Sequence, residues 1–117
     1  MSAKRGSFAV KRPALNTSTF NIREIAKQML LLEEHLTDKE KFCVDCIRKH
    51  LLTVEALAEE AMAMDPAGRY VDECRNISGV ARGWAVMFQD GVDPVVISKD
   101  VRKYRKRIVE MCFDPRG

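Results

Sequence analysis

Residues 20–36 read Phe-Asn-Ile-Arg-Glu-Ile-Ala-Lys-Gln-Met-Leu-Leu-Leu-Glu-Glu-His-Leu, and this stretch decides the fold class. Its core-type apolar residues recur three and four positions apart, at Ile22, Ile25, Met29, Leu32 and Leu36. That spacing places them on one face of an amphipathic helix. Asn21 is a good N-cap residue, and Glu24 occupies the capping-box position. We therefore predict a first helix that runs from Asn21 to about His35.

Similar periodicity predicts three more helices. The second is expected over about residues 38–64, with Thr37 as its cap. The third is expected to begin at Pro66 and to stop at Gly91, and the fourth to begin after a cap at Ser98. No strand pattern of any length is found, and the connections are short. The predicted fold class is therefore all-α, an antiparallel four-helix bundle.

The third predicted helix carries both small and large residues. Trp84 shares a stripe with Tyr70, Cys74, Ile77, Ala81 and Phe88, so we expect it to anchor the core. Gly79 and Gly83 lie four residues apart, which suggests that a neighbouring helix packs close to the backbone there.

Composition fits one globular domain. The 117 residues are 46% hydrophobic and 32% charged, which excludes a disordered chain, and no apolar run is long enough to span a membrane. The net charge of +3 is unevenly distributed, because both ends are basic and the middle is acidic. The ends are therefore the expected contact surfaces.

Residues 1–19 are predicted to form an extended basic arm, and residues 20–117 the bundle domain. The arm has four cations, no acidic residue and no apolar period, which is typical of a segment that becomes ordered on a partner. The candidate partner-binding residues are Lys4, Arg5, Lys11 and Arg12 in the arm and Lys103, Arg105, Lys106 and Arg107 in the fourth helix. Nucleic acid is the alternative partner, because such cations neutralise phosphates, although the acidic middle would repel a duplex.

Residues 43–50 read Cys-Val-Asp-Cys-Ile-Arg-Lys-His, and their spacing places Cys43, Cys46 and His50 on one helical face. These side chains are ligands that zinc accepts, and His35 in the preceding helix could supply a fourth. Plain core packing is the alternative, because Cys-x-x-Cys pairs usually bind zinc from a turn and this pair is predicted to lie inside a helix. The candidate metal ligands are thus Cys43, Cys46, His50 and His35.

The chain has four cysteines and no secretory signal, which favours thiols or metal ligands over disulfides. Cys74 and Cys112 are expected to lie near each other across the third and fourth helices. A disulfide between them would require an oxidising medium.

The segment Phe42-Cys43-Val44-Asp45-Cys46 resembles the opening of the flavin-linked sulfhydryl oxidases, which are small four-helix domains. That resemblance implies a redox Cys-x-x-Cys beside a flavin. It covers only about ten residues, and the family's later Trp and His-x-x-x-Asn flavin contacts have no match here. No phosphate-binding loop and no Ser/His/Asp set is present either. We therefore predict no enzymatic activity and no cofactor, with zinc as the alternative.

Residues 20–65, including Cys43-x-x-Cys46-Ile-Arg-Lys-His50 and the later Glu55-Ala-Leu-Ala-Glu-Glu-Ala, resemble small helical proteins of large double-stranded DNA viruses. The resemblance implies a role in the virion and no catalysis. We therefore expect a structural protein that docks onto partner proteins, most plausibly as a minor capsid component bound to capsid proteins. The expected location is the virion, or otherwise a soluble intracellular state.

Overall fold

A computed structural model describes residues 17–112, with side chains described for residues 20–111. It contains four helices, α1 (Thr17–Thr37), α2 (Val44–Met64), α3 (Val71–Gln89) and α4 (Pro94–Cys112). No strand occurs within residues 17–112, so the predicted all-α class is confirmed. The candidate arm cations Lys4, Arg5, Lys11 and Arg12 lie outside the described residues. None of the four described helices is long and apolar enough to cross a membrane.

Helix α1 packs extensively against both α2 and α4, and α2 packs against α3. Successive helices are antiparallel. Asn21 near the start of α1 bonds to Glu60 near the end of α2, and Gln28 bonds to His50. Helices α3 and α4 have fewer contacts and meet through side chains such as Trp84 and Asp100. This arrangement is compatible with the predicted bundle.

One continuous core joins all four helices. Its fully buried large side chains include Ile22, Ile25, Met29, Leu32, Ile47, Val54, Ile77, Trp84, Ile97, Val101 and Ile108. Trp84 is 1% exposed, which confirms the predicted core anchor. Its indole N–H donates to Asp100 at 2.7 Å, and its ring meets the edge of Tyr104. The buried indole thus has the polar partner that it needs.

Helix α1 begins earlier than predicted. It starts at Thr17, so the predicted cap Asn21 lies inside the helix and the last residues of the predicted arm belong to α1. Asn21 is 3% exposed and donates through its side chain to the Leu57 carbonyl and to Glu60. An amide that favours a helix end is used here to join α1 to α2, which sequence position alone does not indicate.

The boundary between α1 and α2 also differs. Thr37 is not the cap of α2 but the last residue of α1, where its hydroxyl donates to the Glu33 carbonyl at 2.8 Å. Residues 38–43 form a turn in which Asp38 accepts the Glu40 N–H. Helix α2 therefore begins at Val44, about six residues later than predicted, and Cys43 is its N-cap.

The start of α3 was predicted wrongly, because α3 begins at Val71 and not at Pro66. Residues 65–70 form a turn in which the Gly68 N–H bonds to the Asp65 carbonyl. A side chain at Gly68 would overlap the Asp65 carboxylate, so a larger residue there would require Asp65 to move.

The start of α4 was also predicted wrongly. Asp93 accepts the Val95 N–H at 2.9 Å and Pro94 is the first helical residue, so Ser98 lies buried inside α4. Gly91 does end α3 as predicted. Its φ is +86°, and hydrogen bonds from Gly91 to Phe88 and from Val92 to Met87 form a Schellman motif.

Candidate functional site at the cysteine end

Two turns meet at one end of the antiparallel helices. The turn of residues 38–43 joins α1 to α2, and the turn of residues 90–93 joins α3 to α4. One surface groove is lined by residues of both turns, which shows that they lie side by side. We call this region, residues 35–50 with residues 88–95, the cysteine end, because it holds Cys43 and Cys46.

Cys43 and Cys46 are joined by a disulfide, with a Cα–Cα separation of 5.2 Å. Cys43 is the N-cap of α2, and its Sγ accepts the Cys46 N–H at 3.1 Å. Both cysteines are partly exposed. Three expectations are therefore corrected: the pair lies at a turn rather than deep in a helix, it is oxidised rather than free, and it does not fill the core.

The two candidate histidine ligands lie together beside this pair. The rings of His35 and His50 stack with centroids 5.3 Å apart. The Nδ1 of His35 is 2.7 Å from the Lys41 carbonyl, and the Nδ1 of His50 is 2.6 Å from the Gln28 side-chain oxygen. Both partners are oxygen acceptors, so each Nδ1 must be the donor. In the neutral rings, each Nε2 therefore carries the lone pair.

The surroundings of His50 favour its neutral form. Partial burial lowers the pKa of His50, and the neighbouring His35 lowers it further. Neutral imidazole is the form that binds metals. Among the side chains of residues 20–111, however, no group of three or more His, Cys, Asp or Glu is arranged to hold a metal in this oxidised form.

Two neighbouring grooves lined by apolar side chains lie at this end and beside it. The first, of about 390 Å³, lies between the two turns and is lined by Leu36, Phe42, Pro94 and Val95 among others. The second, of about 220 Å³, lies between α2 and α3 and includes Leu52, Ala85 and Phe88. The Phe42 and Phe88 rings, 6.3 Å apart, connect the grooves. We call these seven residues the apolar end surface.

Of the candidate cations of α4, two are held in intramolecular ion pairs. Arg105 donates to the buried carboxylate of Glu33, and this hydrogen bond raises the pKa of Arg105. Arg102 reaches the same carboxylate at 3.2 Å. Arg107 pairs with Glu73, also at 3.2 Å. Lys103 and Lys106 are exposed and form no ion pair with a described residue.

The remaining cysteines lie away from this end. Cys74 is a free thiol, buried on α3, so it takes part in no disulfide. Burial raises its pKa to about 11, and the Glu73 carboxylate adds to the rise. The side chain of Cys112 lies outside the described residues.

Sequence reasoning missed Phe42 of the cysteine end and also Gln28, which lies outside that end but bonds to His50. Gln28 lies seven residues before His35, a spacing that places both on one face of α1, so helical periodicity could have linked them. The exposure of Phe42 had no signal, because it depends on the turn that separates α1 from α2.

Comparison of the chain with protein-family models, with curated proteins and with solved structures found no match.

Proposed function

We propose that this chain is a non-catalytic structural protein that docks onto partner proteins of a larger assembly through the apolar end surface. The observation that carries the proposal is the exposure of large apolar side chains at one end. Phe42 is 44% exposed, Val95 46% and Leu52 66%, and these side chains line two grooves that the Phe42 and Phe88 rings connect. Connected exposed apolar surface is typical of protein–protein contact sites.

The geometry of the surface suits a polypeptide partner with protruding apolar side chains. The two grooves offer concave places for such anchors, and Phe42 and Phe88 supply the aromatic contact area that dominates binding energy at interfaces. We propose that the occupant is an apolar segment of a partner protein.

Charge disfavours nucleic acid at this surface. Asp38 and Asp93 lie on the groove between the turns with Lys39 as the only cation, so the rim would repel a phosphate backbone. On α4, Arg105 and Arg107 are engaged within the protein. Both features favour a protein partner over nucleic acid.

A viral particle is the proposed assembly, because residues 20–65 resemble small virion-associated proteins, and capsid proteins are then the proposed partners. The basic arm remains a proposed second contact. Its cations Lys4, Arg5, Lys11 and Arg12 would supply charged contacts where the end surface supplies apolar ones.

Phe42→Ser tests the docking surface, with Phe20→Ser as a matched control. The two phenylalanines are comparably exposed, 44% and 59%, but lie at opposite ends of the helices. Tagged chains would be expressed in the cells that produce the assembly. Their incorporation into the purified assembly would be measured by quantitative mass spectrometry. We expect Phe42→Ser to reduce incorporation at least tenfold and Phe20→Ser to leave it within twofold of wild type.

Circular dichroism and thermal melting of both variants would confirm that each remains folded. Equal incorporation of the two folded variants, or a loss confined to Phe20→Ser, would refute docking through the cysteine end. Self-association of the chain, abolished by Phe42→Ser in native mass spectrometry, would show that the surface binds a second copy instead.

A further inference from the structure

We propose that reduction of the Cys43–Cys46 disulfide creates a zinc site with two thiolates and the Nε2 atoms of His35 and His50. Zinc binds four such ligands in a tetrahedron in structural sites. The site lies beside the docking surface but does not depend on it, so its test requires no partner. The hydrogen bonds of the two histidines and the positions of the two cysteines in the chain support the inference.

The histidines already have the arrangement that metal-bound histidines show. A ligating imidazole usually donates its second ring N–H to an oxygen acceptor, which fixes the ring and leaves the other nitrogen for the metal. His35 donates from Nδ1 to the Lys41 carbonyl, and His50 donates from Nδ1 to Gln28. With the centroids 5.3 Å apart and the rings stacked, both Nε2 atoms are available on neighbouring rings.

The cysteines lie within reach of these rings. Cys46 and His50 are four residues apart on α2, so their Cβ atoms lie about 5–6 Å apart on one face. Cys43 is bonded to Cys46, and it is two residues from Lys41, whose carbonyl holds His35. Both thiols lie in the turn and first helical turn, where the N-terminal end of α2 stabilises thiolates.

The Cys-x-x-Cys therefore has the position at a turn that zinc sites of this type use. A disulfide and a zinc site exclude each other, because the sulfur atoms bonded to one another are not thiolates. This explains why no metal-ligand group is assembled among the described residues in the oxidised form.

Reduction of the disulfide and binding of zinc each conserve electrons and protons. A cellular dithiol, such as a reduced thioredoxin-type protein, transfers two electrons and two protons to the Cys43–Cys46 bond and becomes a disulfide itself. The two thiols formed then release two protons as their thiolates bind Zn²⁺. A disulfide oxidant, such as the oxidised thioredoxin-type protein, reverses both steps: it accepts two electrons and takes up two protons to become a dithiol, the Cys43–Cys46 bond re-forms, and Zn²⁺ is released. Zinc would hold the turn of residues 38–43 between the two histidines, and so would fix Phe42 of the apolar end surface.

Zinc content of the reduced protein tests the site. The full chain would be reduced with a phosphine, which does not bind zinc tightly, freed of reductant under nitrogen, and mixed with excess Zn²⁺ before desalting. We expect one equivalent of zinc in the reduced protein and less than a tenth of an equivalent in the oxidised protein. Co²⁺ in place of Zn²⁺ should give the visible bands of tetrahedral cobalt and thiolate charge-transfer absorption.

Variants assign the ligands. Cys46→Ser, His50→Ala and His35→Ala should each weaken zinc binding at least tenfold, while Cys74→Ala, which removes a buried cysteine outside the site, should retain one equivalent. Zinc should also raise the melting temperature of the reduced wild-type protein by roughly 10 °C or more.

Less than a tenth of an equivalent of zinc in reduced wild-type protein, without tetrahedral cobalt bands, would overturn the proposal. So would undiminished zinc binding by both the His35→Ala and the His50→Ala variant, since neither imidazole would then be needed. The wild-type cobalt spectrum decides the matter even if a variant fails to fold. Failure of zinc binding would leave the docking proposal untouched, because incorporation is measured separately.

Discussion

Single residues at this protein's helix ends have roles that their types only partly indicate. Cys43 illustrates this, because a helix boundary displaced by about six residues moves it from the interior of a helix to an N-cap with a partly exposed sulfur. Spacing alone suggested Cys43, Cys46, His50 and His35 as candidate metal ligands, and metal binding by them stays a prediction. The sequence did not predict the disulfide, since spacing is the same for a thiol pair and a bonded pair.

Cys74 gives the clearest prediction at this scale. Its thiol has a pKa of about 11 rather than the ordinary 9.0, mainly because it is buried. Since the thiolate reacts and the thiol does not, we expect native Cys74 to react with iodoacetamide at pH 8.5 roughly 100-fold more slowly than in urea. Mass spectrometry of its peptide measures both rates. Similar rates in the two states would contradict the burial of this thiol.

The same shift gives a direction for the pH dependence of stability. The folded protein keeps the proton on Cys74 to higher pH than the unfolded chain does. This contribution to stability is therefore complete below about pH 9 and is lost as the pH rises toward 11. Urea unfolding of wild type and Cys74→Ala at pH 8 and pH 10.5 should show a steeper loss for wild type.

At the scale of elements, the existence of all four helices followed from apolar periodicity, whereas their starts did not. A helix that packs on the core needs apolar residues at helical spacing along its buried face, so its existence can be predicted from the sequence. Starts depend on which of several capping residues is used. Asn21, Thr37 and Ser98 are all good capping residues, yet each lies within a helix here. Cys43 caps α2 and Asp93 caps α4 instead.

The glycines of α3 were also interpreted wrongly from sequence. A Cβ atom at Gly79 or Gly83 would meet nothing within 4 Å, so none of the residues that the structure describes packs against their backbone. Both are exposed within a helix and therefore cost helix stability. We expect Gly79→Ala to raise the free energy of unfolding by about 0.5–1 kcal/mol in urea denaturation.

Gly91→Ala is the matched control for this prediction. Gly91 has φ +86°, a backbone conformation that alanine adopts only with strain, although a Cβ would have equal space there. This variant should lower stability by roughly 1 kcal/mol. A loss of stability in Gly79→Ala would mean that something packs against α3 after all.

On the scale of the whole molecule, the residues that stabilise the fold are largely distinct from those that we propose contact a partner protein. The core runs through all four helices and includes Trp84, whereas the apolar end surface lies at the two turns and along the adjoining parts of α2 and α3. The helices thus act as a rigid support for the turns of residues 38–43 and 90–93. Sequence could predict the support, because burial leaves a periodic signal. It could not predict the surface, because residues of two separate turns that meet only in the folded protein produce no periodic pattern in the sequence.

Hydrogen–deuterium exchange of the chain, alone and within its purified assembly, tests docking through the cysteine end most directly. We predict that assembly slows exchange in residues 38–46 and 90–96, while residues 65–70, the turn at the opposite end, exchange as they do in the free chain. Unchanged exchange across the cysteine end, with protection at residues 65–70 instead, would contradict this account.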